Sequence, residues 1–184
     1  MTQERLGLLA ILMLSTIRCA VLYAYAQAPS VSEYQVKAAF VYNFAKFVDW
    51  PPTVFAHAQA PIHLCIVGID PFGAALETIK DKTVQDRKLV VQYKSRRENL
   101  DSCQSAFISA SEREALAPIL ESLQDTPILT VSDVDGFLES GGMINLVTVA
   151  NKIRFEVNLD AVRRAGLTIS AQLLKLAAAV KGTP

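Results

Sequence analysis

Cysteine, histidine and tryptophan are scarce in this chain, and neither sign of charge is in excess. Its 184 residues hold three cysteines, two histidines and one tryptophan, with 18 basic and 18 acidic side chains. Each shortage excludes something. There is no C-x-x-C, so a zinc site has no framework to build on. The two histidines fall in one short region, His57 to His63, and no G-x-S-x-G elbow is present. No recognised nucleophile–base constellation is present, and the chain reads as a non-enzyme with no catalytic residue, metal or cofactor, a hydrolase with an unrecognised site being the lesser alternative. Zero formal charge without a dense basic run gives no electrostatic footprint for nucleic acid. Gly68-Ile69-Asp70-Pro71-Phe72-Gly73 lies where a phosphate loop would lie, yet it lacks both glycine fingerprints, and Pro71 removes a backbone donor.

Long apolar runs are also lacking, except at the start. Glu4 and Arg5 lead into Leu6–Ile17, followed by the small-residue exit Ala24-Tyr25-Ala26. That is the layout of a secretory signal peptide. Ala26-Gln27-Ala28 offers a second cut, so cleavage falls after Ala26 or Ala28. The alternative is an uncleaved anchor from Leu6 to Ala28, about long enough to span a bilayer. Arg18 would then sit near mid-membrane at roughly 2.5–3.5 kcal/mol. Export gives a signal peptide at 1–26 and one exported domain at 27–184. Cys19 leaves with the leader, and Cys65 and Cys103 remain in an oxidising compartment. They form either a disulfide or two buried thiols. A bridge would close a loop of about 40 residues and stabilise by roughly 4 kcal/mol.

The rest of the chain alternates helix and strand signals. Ser32–Val48 reads as a helix capped by Ser30 or Ser32, with an apolar stripe of Val36, Ala39, Phe40, Phe44 and Phe47, stopped by Trp50-Pro51-Pro52. Ile62–Gly68 is a near-continuous apolar run, the mark of a strand buried on both faces. Asp70 caps a helix over Phe72–Ile79, with Pro71 at its first position. Strands follow at Lys88–Tyr93, Ser105–Ser109 and Pro127–Ser132, with a helix at Glu112–Leu123 capped by Ser111, Glu114 completing a capping box. Met143–Val149 and Lys152–Asn158 form an antiparallel hairpin about Ala150-Asn151. Asn158 caps a helix to Ala165 ended by Gly166, and Ser170 caps a last helix, Ala171–Val180. The pattern predicts a single α/β layered domain, with a mixed, largely parallel sheet flanked by helices and a C-terminal hairpin plus helices.

Two sets of residues are candidates for binding. Asp70 and Asp133 lie after strands, at the edge where open α/β sheets take ligands, and would serve a small-molecule sensor. Arg154 and Glu156 share the polar face of a hairpin strand, and Tyr42 and Lys46 project from the first helix. These four are candidates for a partner surface.

Taken together, several segments resemble the YfiR family. They are Tyr34-Gln35-Val36-Lys37-Ala38-Ala39-Phe40 through Trp50-Pro51, Cys65-Ile66-Val67-Gly68 with Asp70-Pro71-Phe72-Gly73, and Leu129-Thr130-Val131-Ser132-Asp133. Gly141-Gly142-Met143-Ile144, Ile153-Arg154-Phe155-Glu156-Val157-Asn158 and Ala165-Gly166-Leu167-Thr168-Ile169-Ser170 complete the set. The resemblance implies a periplasmic, non-enzymatic regulator that represses YfiN, an inner-membrane diguanylate cyclase, and so limits cyclic di-GMP output and biofilm formation. It implies relief when the outer-membrane lipoprotein YfiB sequesters the repressor, together with a capacity to form homodimers and sensitivity to redox state. Cys65 and Cys103 match the family's long-range disulfide. The second cysteine pair of the pseudomonad pattern, near the Met143–Val149 hairpin, is absent here, which puts a two-disulfide switch in doubt.

Overall fold

The computed structural model describes residues 32–182. The leader, Cys19, both cleavage positions and Ser30 lie outside the described residues. Helix α1 (Glu33–Phe47) comes first and runs into the short strand β1 (Val48–Asp49). Strands β2 (Ile62–Val67), β3 (Thr83–Val84), β4 (Arg87–Lys94), β5 (Ser105–Ile108) and β6 (Leu129–Ser132) follow, with helix α2 (Leu116–Leu123) between the last two. Then come β7 (Ile144–Val149), β8 (Lys152–Asn158), helix α3 (Leu159–Arg164), β9 (Thr168–Ile169), helix α4 (Ala171–Leu174) and β10 (Ala179–Lys181).

Eight strands make one mixed sheet in the order β10-β8-β7-β6-β5-β2-β4-β3, and β1 pairs with β9 separately. The pairs β4·β2, β2·β5, β5·β6, β6·β7 and β8·β10 are parallel, while β7·β8 and β3·β4 are antiparallel. The fold is the expected α/β layering. Alternation along β2 shows why its sequence is apolar throughout. Ile62, Leu64 and Ile66 face the core under α1, and Cys65 and Val67 face the core under α2. Phe44 of α1 packs edge-on against Phe155 of β8, ring centroids 5.1 Å apart. On the other face Leu116, Ile119, Leu120 and Leu123 of α2 are buried against Val67 and Ile108.

Two hairpins turn on two residues each. Gln85-Asp86 and Ala150-Asn151 all have φ between 49° and 61°, the turn whose twist suits paired strands. Gly142 is required for a different reason: a Cβ there would lie 2.2 Å from the ring of Phe137, which is fully buried.

Several local expectations are corrected. The buried stripe of α1 is Lys37, Ala38, Val41, Phe44 and Ala45, with Ala39 exposed. The helix is apolar around much of its girth, so spacing alone did not fix which face turns inward. Gly73–Thr78 is a 3-10 turn rather than an α-helix, because Gly73 at φ 51° breaks the helix just where it would start. Nor does Asp70 cap it or Pro71 open it: Phe72 is the residue before the first turn and has no side-chain cap, while Asp70 accepts from the N–H groups of Phe72 and Gly73 at 2.8 and 3.2 Å in a turn of its own. Ser109, not Ser111, caps the segment before α2, and its first turn, Ala110–Ala115, is 3-10. Finally, α4 stops at Leu174. The outer edge of β8 carries unpaired backbone groups, and Ala179–Lys181 satisfies them as a parallel strand.

Candidate functional site

The strand ends nearest the start of α1 hold a cluster of charged groups. Lys37 Nζ lies 2.6 Å from Asp133 Oδ2 and 2.5 Å from Glu33 Oε1. Tyr34 donates its hydroxyl to the same Asp133 oxygen at 2.9 Å. Lys37 and Asp133 side chains are each only 6% exposed, whereas Glu33 is 54% exposed. Asp133 Oδ1 is buried with no hydrogen-bond partner. Burial by itself pulls the Lys37 ammonium toward neutrality, but its hydrogen bonds to Asp133 and then Glu33 outweigh that and hold its pKa above the usual value. Tyr34 is also pushed up, first by burial and then by its bond to Asp133. The cluster fastens α1 to the end of β6.

Asp70 and Asp133 are thus both engaged within the chain. Asp70 uses both carboxylate oxygens on its own turn, and Asp133 is held by Lys37 and Tyr34. Tyr34 and Phe72 stack edge-on at 5.4 Å, which places the two aspartate loops on one end of the sheet.

Tyr42 and Lys46 are brought together. Tyr42 donates to the carbonyl of Thr83 at 3.1 Å, and the ammonium groups of Lys46 and Lys82 sit 5.5 and 5.3 Å from its ring centroid. Gln85, in the turn after β3, donates its side-chain amide to the carbonyls of Val48 (2.8 Å) and Ala45 (3.3 Å). This closes the C-terminal end of α1, where orphan carbonyls need donors. The result is an aromatic ring flanked by two exposed cations at the β3 edge of the sheet.

Arg154 and Glu156 lie elsewhere. Phe155, between them, packs toward α1, so they project from the opposite face. Glu156 stands across from Asn145, whose Oδ1 is buried without a partner, and Arg154 stands across from Val147. Among the described residues neither joins an ion pair. Tyr42 reaches the β3–β4 hairpin through Thr83, whereas Arg154 and Glu156 belong to β8 and project from the face of the sheet away from α1. The two candidate surfaces are therefore separate patches.

Cys65 and Cys103 form a disulfide with Cα atoms 5.9 Å apart, 38 residues apart in sequence. Both are buried, at 0% and 2% exposure, on the α2 face. The bridge ties the loop before β5 to the middle of β2.

The YfiR/HmsC-like family model matches residues 34–178. The chain belongs to the YfiR/HmsC-like family. At family level this supports a periplasmic, regulatory role in cyclic di-GMP signalling. Among the described residues no helix is long and apolar enough to cross a membrane. Of solved structures, a conserved domain protein from Vibrio cholerae O1 biovar El Tor is similar at 10% identity and a TM-score of 0.58, over 82% of this chain and 60% of that one. This chain therefore spans less than two thirds of that protein, and the likeness concerns the fold alone. An ABC domain in complex with L-Trp from Streptococcus pneumoniae matches at 12% identity and a TM-score of 0.48, over 65% of this chain and 55% of that one.

Three contributors escaped the sequence reading. Lys37 was legible in principle, because the steps from 34 to 37, 38 and 41 put a lysine on an apolar helix face. Lys82 and Gln85 carried no such signal, since only the tertiary fold brings them to Tyr42 and the end of α1.

Proposed function

We propose that this protein is a periplasmic repressor of an inner-membrane diguanylate cyclase of the YfiN type, lowering cyclic di-GMP and with it biofilm formation. The family match over residues 34–178 carries the reading. The engagement of Asp70, Asp133 and Lys37 in structural pairs supports a binding role over a catalytic one. To repress, the protein must bind the inactive state of its partner more tightly than the active one, because equal affinity shifts nothing.

The Tyr42–Lys46 patch is the proposed cyclase contact. A ring flanked by cations offers apolar area and charge together, the composition from which interface anchors are drawn. The Arg154–Glu156 patch, on the opposite face of the sheet, is left for a second contact, with a YfiB-like outer-membrane lipoprotein or another copy of the chain. Deleting the gene and measuring cellular cyclic di-GMP tests the repressor role. A rise, reversed by the exported wild-type chain and not by a Tyr42→Ala/Lys46→Glu variant, is expected. An unchanged or lowered level on deletion contradicts it.

A further inference from the structure

Charge is divided unevenly along the chain. Residues 33–142 carry ten lysines and arginines against 15 aspartates and glutamates, whereas residues 143–182, from β7 onward, carry six against two. All six ion pairs among the described residues lie before β7. Lys152, Arg154, Arg163, Arg164, Lys175 and Lys181 therefore stand without an ion pair, and only Glu156 and Asp160 offset them in sequence.

The fold gathers four of these cations at the β10 end of the sheet. Ala178 donates its N–H to the Phe155 carbonyl at 2.7 Å, and the chain then runs on as β10 along the outer side of β8. Beyond Lys181, Gly182 meets the start of α3: a Cβ there would lie 2.7 Å from Asp160 Oδ1. Arg163 and Arg164 close that same helix and are exposed, as are Lys175 and Lys181. Among them Leu176 is 59% exposed and Val180 41% exposed. Lysines on a short edge strand guard it against stray pairing, but that role alone gives no reason to expose leucine and valine on the same edge.

We propose that this edge docks on an anionic phospholipid surface, with Arg163, Arg164, Lys175 and Lys181 at the headgroup phosphates and Leu176 and Val180 entering the boundary with the acyl chains. Peripheral attachment takes two signals, apolar burial and attraction to anionic headgroups, and this edge supplies both. Long basic side chains can reach the phosphates while shorter apolar ones sit deeper between them. A bilayer accepts such side chains from separate elements without a matching shape, each cation adding about fivefold to binding. The strand order puts the Tyr42 patch at the β3 end, so docking by β10 leaves it free whichever membrane protein it meets.

Co-sedimentation of the exported chain with phosphatidylcholine vesicles, with and without phosphatidylglycerol, tests the edge. All the residues to be changed are exposed, so Lys175→Gln/Lys181→Gln, Arg163→Gln/Arg164→Gln and Leu176→Ser leave the core intact, as circular dichroism would verify. Binding to the phosphatidylglycerol vesicles alone is expected, released at about 0.5 M salt by screening. Each double substitution should weaken it about twentyfold, and Leu176→Ser about tenfold through lost apolar burial. No binding to the anionic vesicles overturns the proposal. So does equal binding to the neutral ones, or binding that neither double substitution alters. The acidic remainder of a second copy would also match these cations, so sedimentation velocity is run on the same variants. A dimer that the charge substitutions dissociate, without vesicle binding by the wild type, makes the edge an interface between copies and overturns the lipid assignment.

Discussion

Lys37 and Asp133, 96 residues apart in sequence, meet at 2.6 Å with both side chains almost fully buried. This contact fastens the N-terminal end of α1 to the sheet, and α1 carries the proposed cyclase contact at its other end. A buried pair of this kind is costly to break and not costly to replace, because removing one partner strands the other charge. Lys37→Met or Asp133→Leu alone should therefore lower unfolding free energy by about 3–5 kcal/mol, while Lys37→Met/Asp133→Leu recovers most of the loss. Urea denaturation of the three variants measures this. Losses that simply add would show that the two residues are not coupled.

The same cluster sets a dependence on alkaline pH. Lys37 and Tyr34 both have folded pKa values above their ordinary 10.5 and 10.0. A group raised on folding contributes stability that is complete below its unfolded pKa and is lost as pH rises through the folded one. The protein should hold constant stability from this source up to about pH 10 and lose it above, since both shifts act in one direction. Lys37→Met/Asp133→Leu should flatten the decline, followed by denaturation at stepped pH. A wild-type curve that falls no faster than the variant's above that pH would refute the linkage.

The disulfide spans 38 residues of sequence, and its main effect is on the unfolded chain. Cys65→Ser/Cys103→Ser should cost up to about 4 kcal/mol, a fall in Tm of roughly 8–16 °C for a domain of this size. Because both cysteines are buried, reduction of the native protein should wait on unfolding. Thiol release measured with and without denaturant checks this. Equal rates would mark the bridge as accessible and suited to redox sensing.

Ala150 occupies the first position of a hairpin turn at φ 49°, a conformation that disfavours any residue with a Cβ. Ala150→Gly should raise stability by about 0.5–1 kcal/mol, read as an upward shift in Tm. A drop would mean that the alanine methyl makes a contact worth more than the strain.

Much of this architecture was legible in the residues. The apolar run at Ile62–Val67, the alternation at Lys152–Asn158 and the capping residues Asn158 and Ser170 each report a local rule, and each holds. What failed depended on distant partners. Whether Ala179–Lys181 continues a helix or becomes a strand is decided by the open edge of β8, which the local sequence does not encode. The face of α1 was misjudged because Phe40 and Phe47 are only partly buried flank residues, while Lys37 goes inward to meet Asp133. The Tyr42 patch shows the same division. Tyr42 and Lys46 are one helical turn apart and readable as a pair, but Lys82 joins them only through the β3–β4 hairpin.

The central claim is direct contact between this protein and a membrane-bound diguanylate cyclase, and site-specific photo-crosslinking in intact cells tests it most directly. A crosslinking amino acid placed at Tyr42, and separately at exposed Asn43 on the same helix, would be activated in the exported chain and the adducts identified by mass spectrometry. The account predicts an adduct with the periplasmic portion of a diguanylate cyclase, lost when Lys46 is changed to glutamate. Adducts confined to other proteins, from a folded and exported chain in cells that make the cyclase, would contradict it.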